Sequence, residues 1–289
     1  MNALKKACKV TSLLKPSDYT KAAILICLLS LINPVSSASA GTGTSSVLQS
    51  ELGIALQHFK WTETPITGSR LAEETGMLYG LRQALAHRKQ GIGWRQKATF
   101  FFGEVDYDGH TWTDIPVQTD VTYIGAAGFF DLEPAYRWPS GVRIKGFAGL
   151  GGRVWLRDLA GTQTAGGTRV AGVEELWWTV YGRAGAGVSY SLKRFGRLSA
   201  EAGLKLPLIA RNEASFHIEG VQTVELEPEQ TVSPFAQIAW HWEKVRLGVF
   251  YDTLYFDASD SVTTEEYEIY QPESDAETIA IAFSMGFHF

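Results

Sequence analysis

Three acids and a histidine fall within seven residues at Glu104-Val105-Asp106-Tyr107-Asp108-Gly109-His110, and Thr111-Trp112-Thr113-Asp114 follows directly. Asp106 and Asp108 stand two apart, so an extended backbone points both carboxylates the same way. With His110 close by, such a pair can hold a water and take its proton for general-base attack. The plainer reading is an Asp/Gly loop tip, because these residues dominate turns. Other catalytic patterns are missing. His58, His87, His110, His217, His241 and His288 form no H-E-x-x-H, and there is no G-x-S-x-G nucleophile elbow. No metal site and no cofactor is expected. The acidic runs Glu225/Glu227/Glu229 and Asp257, Asp260, Glu265, Glu266, Glu268 read as solvated loops, with weak divalent-cation binding as the sharper alternative.

A second group of chemically capable residues is spread over the chain. Arg143, Lys145, Arg153, Arg183, Glu201, Lys205, Arg211 and Asp252, with Arg82 and Arg246, sit among apolar residues at alternate positions. In residues 142–157, Val142, Ile144, Ala148, Leu150, Val154 and Leu156 alternate with Arg143, Lys145, Phe147, Arg153, Trp155 and Arg157. Period 2 means strands, with one face apolar and one charged. Ten such segments are expected near 47–61, 73–88, 93–107, 120–137, 141–157, 174–191, 197–212, 230–243, 245–257 and 276–289.

The links between them alternate in length. Short ones fall at Arg88–Gly93, Trp138–Gly141, Leu192–Arg197 and Glu243–Lys244. Long polar ones fall at Thr62–Ala72, Gly109–Thr119, Asp158–Val173, Glu213–Glu229 and Ala258–Asp275. Strict alternation fits an all-β, up-and-down antiparallel transmembrane barrel of about ten strands, eight or twelve being the alternatives. The apolar face then meets lipid. The charged face lines a narrow lumen that either fills itself with ion pairs or leaves a small anion-preferring path. Glycines inside strands mark bends or close approaches. Trp138, Trp155, Trp177, Trp178, Trp240 and Trp242 are placed in aromatic girdles at the two membrane interfaces.

The N-terminus tells how such a chain reaches a membrane. Lys5, Lys6, Lys9, Lys15 and Lys21 precede the apolar run Ala22–Val35, and small residues ending in Ala38-Ser39-Ala40 follow. This is the layout of a secretory signal peptide, with cleavage at the Ala38/Ala40 site. Residues 1–40 are therefore set apart from a single domain at 41–289. Both cysteines, Cys8 and Cys27, lie in the leader, which leaves a cysteine-free chain with 21 basic and 30 acidic residues, net −9. Thiol chemistry and disulfides are excluded for that domain. Of the whole chain, 45% is hydrophobic and 20% charged. This balance speaks against a disordered chain, and the acidic surplus against a nucleic-acid binder.

The last eleven residues, Ile279 to Phe289, put a large apolar residue at every odd position. Phe283, Met285, Phe287 and the final Phe289 resemble the terminal assembly signal of bacterial outer-membrane β-barrels. That resemblance implies the outer membrane, with its lipid and lipopolysaccharide, and the barrel-assembly machinery as partners; any extracellular ligand is open. The Asp106-x-Asp108 pair with its downstream Trp112-Thr113-Asp114 is similar to the rim of the omptin proteases, which are ten-stranded barrels. Leu71-Ala72-Glu73-Glu74 is similar too. The resemblance implies an acidic pair at Asp106 and Asp108. An omptin's other half-site is an Asp-x-His near the top of the seventh strand, where this chain has Asn212-Glu213-Ala214-Ser215-Phe216-His217. The leading expectation is a non-catalytic barrel with a structural, adhesive or surface ligand-binding role. An omptin-like protease and a narrow anion channel are the rivals.

Overall fold

The structure, a computed structural model, describes residues 47–65, 70–88, 91–111, 114–164, 166–216, 223–264 and 268–288. The expected leader with its Ala38/Ala40 site, and Trp112, Thr113, His217 and Phe289, lie outside these residues.

Ten long strands close on themselves. They are β1 (Val47–Thr64), β2 (Ala72–Arg88), β3 (Ile92–His110), β4 (Pro116–Arg137) and β5 (Val142–Leu159). Then come β6 (Val173–Ser191), β7 (Arg197–Phe216), β8 (Ser233–Trp242), β9 (Val245–Phe256) and β10 (Glu273–His288). Each pairs antiparallel with its neighbours in sequence, and β10 pairs with β1 to complete the barrel. Closure removes both sheet edges, so every strand finds partners on both sides.

The strands run further into the loop end than the apolar pattern alone indicates, β3 to His110 and β7 to Phe216. Backbone pairing continues there after lipid-facing residues give way to polar ones. Strand β8 is interrupted instead. Val224–Leu226 pairs with β7 and Gln230–Thr231 with β9 before β8 proper begins.

Turns at one end are tight. Pro139 and Gly141 close one in which the Gly141 amide donates to the Trp138 carbonyl at 3.1 Å, with Gly141 at φ 86°. Only glycine takes that conformation cheaply.

The two faces divide cleanly. Leu52, Ile54 and Leu56 of β1, Leu204, Leu206 and Leu208 of β7, and Ile279, Ile281 and Phe283 of β10 are all exposed. An apolar belt this continuous faces lipid. Met285 and Phe287 continue it. Tyr136, Trp138, Trp240, Trp242 and Tyr190 ring the belt at the short-turn end, as interfacial aromatics do. Trp155 and Trp177 are not in a girdle. Both point inward and are fully buried, because their positions share the parity of the lumen residues on β5 and β6.

Inside, glycine makes room for rings. A Cβ on Gly151 would lie 2.4 Å from the Tyr181 ring, and one on Gly185 2.5 Å from the Phe147 ring.

Candidate functional site

The acidic pair of β3 stands on the outer face. The inward residues there are Val105 and Tyr107, both buried, while Asp106 and Asp108 are exposed. His110 shares their parity at the strand's end. Asp108 Oδ2 lies 3.8 Å from an Arg70 guanidinium nitrogen. Arg70 also bonds Glu73 at 2.9 Å, and Lys60 reaches Glu73 at 3.0 Å. These groups lie beyond the apolar stretch of β2. The hydrogen bond from Lys60, with the charges of Lys60 and Arg70, holds the Glu73 carboxyl below its usual range. At the top of β7, Asn212 points inward and donates to Gln271 Oε1 at 2.8 Å. No acid–histidine set facing the lumen therefore forms around Asp106 and Asp108 among the described residues.

The lumen is organised in layers. Near the loop end, the Arg157 guanidinium gathers three carboxylates. It contacts Glu175 at 2.9 Å, Glu63 at 3.4 Å and Glu74 through Nε at 2.9 Å. The Tyr123 hydroxyl donates to Glu74, and the indoles of Trp61 and Trp177 donate to Glu63 and Glu175 at 3.0 and 2.8 Å. Trp155 stacks on Trp177 with centroids 5.4 Å apart, and Trp61 and Phe256 pack against the pair. One guanidinium thus contacts all three carboxylates, and the rings fill the space between.

Near the short-turn end a second network closes the barrel. Arg95 contacts Asp131, Glu133 and Glu201 at 3.1, 3.1 and 2.9 Å. Lys145 bridges Glu133 and Glu201, each at 2.7 Å. Arg246 pairs with Glu51 at 3.0 Å. Arg143 lines a cavity of about 60 Å³ at the mouth below this network, together with Arg197 and His241.

Between the two networks lies a cavity of about 130 Å³, lined by Arg82, Lys97, Arg153, Arg183, Lys205 and Asp252 among others. Lys205 pairs with Asp252 at 2.8 Å, and Arg183 with Asp131 at 3.2 Å.

One lumen residue expected from the sequence is elsewhere. Arg211 points outward and joins Glu225 and Glu227 at 3.5 and 2.5 Å. The cause is a bulge. Tyr181 faces Pro207 while Val180 faces Ile209, so Leu208 is an extra residue and the parity of β7 inverts above it. Proline has no N–H for the ladder, which makes this a natural place for the irregularity. Below the bulge, Glu201 and Lys205 face inward. Sequence reasoning passed over Arg95, Lys97, Glu63 and Glu175. Arg95 and Lys97 alternate with Gln96 and Ala98, the same two-residue signal that exposed Arg143 and Lys145.

No family model and no curated protein sequence matches the chain. Solved structures do. The outer membrane protease OmpT of Escherichia coli superposes with a TM-score of 0.57 at 9% identity, over 87% of this chain and all of that one. The toluene transporter TbuX of Ralstonia pickettii (TM-score 0.41, 10% identity, 89% of this chain and 98% of that one) also matches. So does Neisserial surface protein A (TM-score 0.31, 12% identity, 85% and 99%). At such identities the OmpT likeness speaks for the fold, which is that of the bacterial outer-membrane β-barrels.

Proposed function

We propose that this outer-membrane barrel is closed to solutes and non-catalytic, and that it works through its extracellular surface. The observation that carries the reading is the filled lumen. Arg157 with Glu63, Glu74 and Glu175 occupies one end, and Arg95 with Asp131, Glu133 and Glu201 the other. A conducting pore needs a continuous wet path, and buried ion-pair networks packed among rings do not provide one. The non-catalytic part is supported by Asp106 and Asp108, which face away from the lumen, where a substrate chain could not be held between two strand walls. With short turns towards the periplasm, the surface on offer is acidic: Glu73, Asp106, Asp108, Glu225 and Glu227 all lie at the outer rim. A structural, adhesive or ligand-binding role there fits that placement. Outer-membrane lipid and lipopolysaccharide surround the belt, and the β10 residues Phe283, Met285 and Phe287 are offered to the assembly machinery.

The test uses full-length protein refolded with lipopolysaccharide. The expected result is no unit conductance in planar bilayers and no cleavage of a dibasic peptide. Discrete conductance with an anion-selective reversal potential would overturn closure. Cleavage lost in the Asp106→Asn/Asp108→Asn double variant would overturn the non-catalytic reading.

A further inference from the structure

The mid-barrel cavity carries more positive charge than its carboxylates can match. Five basic side chains line it, and Asp252 is the one acid among its lining residues. Asp252 serves Lys205 and Asp131 serves Arg183. Glu51, the next acid towards the short turns, is held by Arg246. Arg82, Lys97 and Arg153 have no carboxylate within ion-pair distance among the described residues. Arg82 and Arg153 are 6% and 9% exposed. Their guanidinium groups instead lie over rings, Arg82 at 3.8 Å from the Phe250 centroid and Arg153 at 4.6 Å from that of Phe101. Lys97 Nζ sits 4.2 Å from the Phe250 centroid. Ring faces soften buried charge but do not neutralise it.

Two donors on the wall are also unanswered. Arg153 Nε and Gln57 Nε2 are buried without a hydrogen-bond partner, and both residues line the cavity. Buried donors are otherwise almost always satisfied. Arginine cannot relieve the charge by shedding a proton. The cavity has room for roughly four waters at about 30 Å³ each, or for one tetrahedral or planar oxyanion with a water beside it.

We infer that the mid-barrel cavity is a binding site for one small oxyanion of phosphate, sulfate or carboxylate size, held by Arg82, Lys97, Arg153 and the amide of Gln57. An oxyanion offers several acceptor oxygens to these convergent donors and brings the negative charge the layer lacks. The site is independent of the surface role, because it needs only the middle of the barrel.

The full chain is refolded in detergent with radiolabelled phosphate or sulfate, passed through a desalting column and counted. Retention near one label per barrel is expected. Unlabelled phosphate, sulfate and acetate compete during refolding, and chloride at equal ionic strength does not. Lys97→Gln and Arg153→Gln each lower retention at least tenfold, whereas Asp108→Asn leaves it unchanged. If Arg153→Gln gives no heat-modifiable band, Lys97→Gln carries the comparison. Retention below a tenth of a label by the unaltered chain overturns the site, leaving a water-filled cavity. Equal competition by chloride overturns the oxyanion assignment, and equal retention by the variants overturns the residue assignment.

Discussion

Arg157 Nη1 lies 2.9 Å from Glu175 Oε2 across the β5–β6 pair, and the same guanidinium also holds Glu63 and Glu74. One cation thus serves three buried carboxylates from β1, β2 and β6, so it ties distant parts of the barrel wall together. Replacing it strands all three acids at once. Arg157→Met is expected to destabilise the barrel by about 3–5 kcal/mol, the range for breaking a buried ion pair from one side. The readout is the urea midpoint of refolding followed by heat-modifiable gel migration. A midpoint within experimental error of the unaltered chain would contradict the central place given to Arg157.

The direction of β3 side chains is open to chemical labelling. No cysteine occurs after residue 27, so single cysteines placed on the rim report cleanly. Asp106→Cys and Asp108→Cys are expected to react with a membrane-impermeant maleimide on intact cells. Tyr107→Cys, buried against the lumen, is expected to react only after unfolding. The reverse order would place the acids in the lumen and revive a catalytic reading.

Much of this architecture was legible in the sequence because a barrel strand announces itself twice, by period and by loop length. Val142 to Arg157 shows both faces without help from any partner. Position along the barrel axis was not legible. Trp155 and Trp178 are near neighbours in registry terms, yet one is core and the other faces outward. Parity decides that, and parity must be carried through every irregularity. The bulge at Leu208 broke the count for Arg211, and no composition signal marks it except Pro207. The pairing partners were less legible still. Arg95 meets Glu201 across 106 residues of chain, a contact set by barrel curvature and not by local pattern. The rim acids show a related limit of the pattern: Asp-x-Asp fixes a shared face but not which face, and here Asp106 and Asp108 take the outer one.

The bulge makes a contrast between two arginines. Arg211 is partly exposed and pairs with two rim acids, so Arg211→Ala is expected to cost no more than about 1 kcal/mol, as for surface ion pairs. Arg95→Ala leaves Asp131, Glu133 and Glu201 without their shared cation and is expected to cost about 3–5 kcal/mol. Urea midpoints of the two variants, compared with the unaltered chain, check the ordering. Equal losses would mean that Arg211 is a lumen residue after all.

The rim network predicts a pH effect of definite sign. Glu73 is held below its ordinary range by the hydrogen bond from Lys60 and by the charges of Lys60 and Arg70. A carboxyl depressed in the folded state contributes stability above its unfolded pKa, and that contribution disappears as pH falls through the folded value. The window lies on the acid side of the ordinary carboxylate range, and the effect is small because Glu73 is well solvated. Lys60→Ala should move the Glu73 titration, followed by carbon-detected NMR of the carboxyl, upward towards the ordinary value. A Glu73 titration unchanged by that substitution would show that Lys60 does not hold it.

Glycine 151 tests how tightly the lumen is filled. Its missing side chain is the space that the Tyr181 ring occupies, 2.4 Å from where a Cβ would stand. Gly151→Ala forces the ring to move towards the cavity, and overpacking of this kind costs about 1–3 kcal/mol. Truncating the ring should restore the room, so the double variant Gly151→Ala/Tyr181→Ala is expected to lose less than the sum of the two single changes. A double-mutant cycle on urea midpoints measures the coupling. Strict additivity would mean that the wall relaxes around the methyl group without help from Tyr181, and the close approach of Gly151 and Tyr181 would then lose its structural importance.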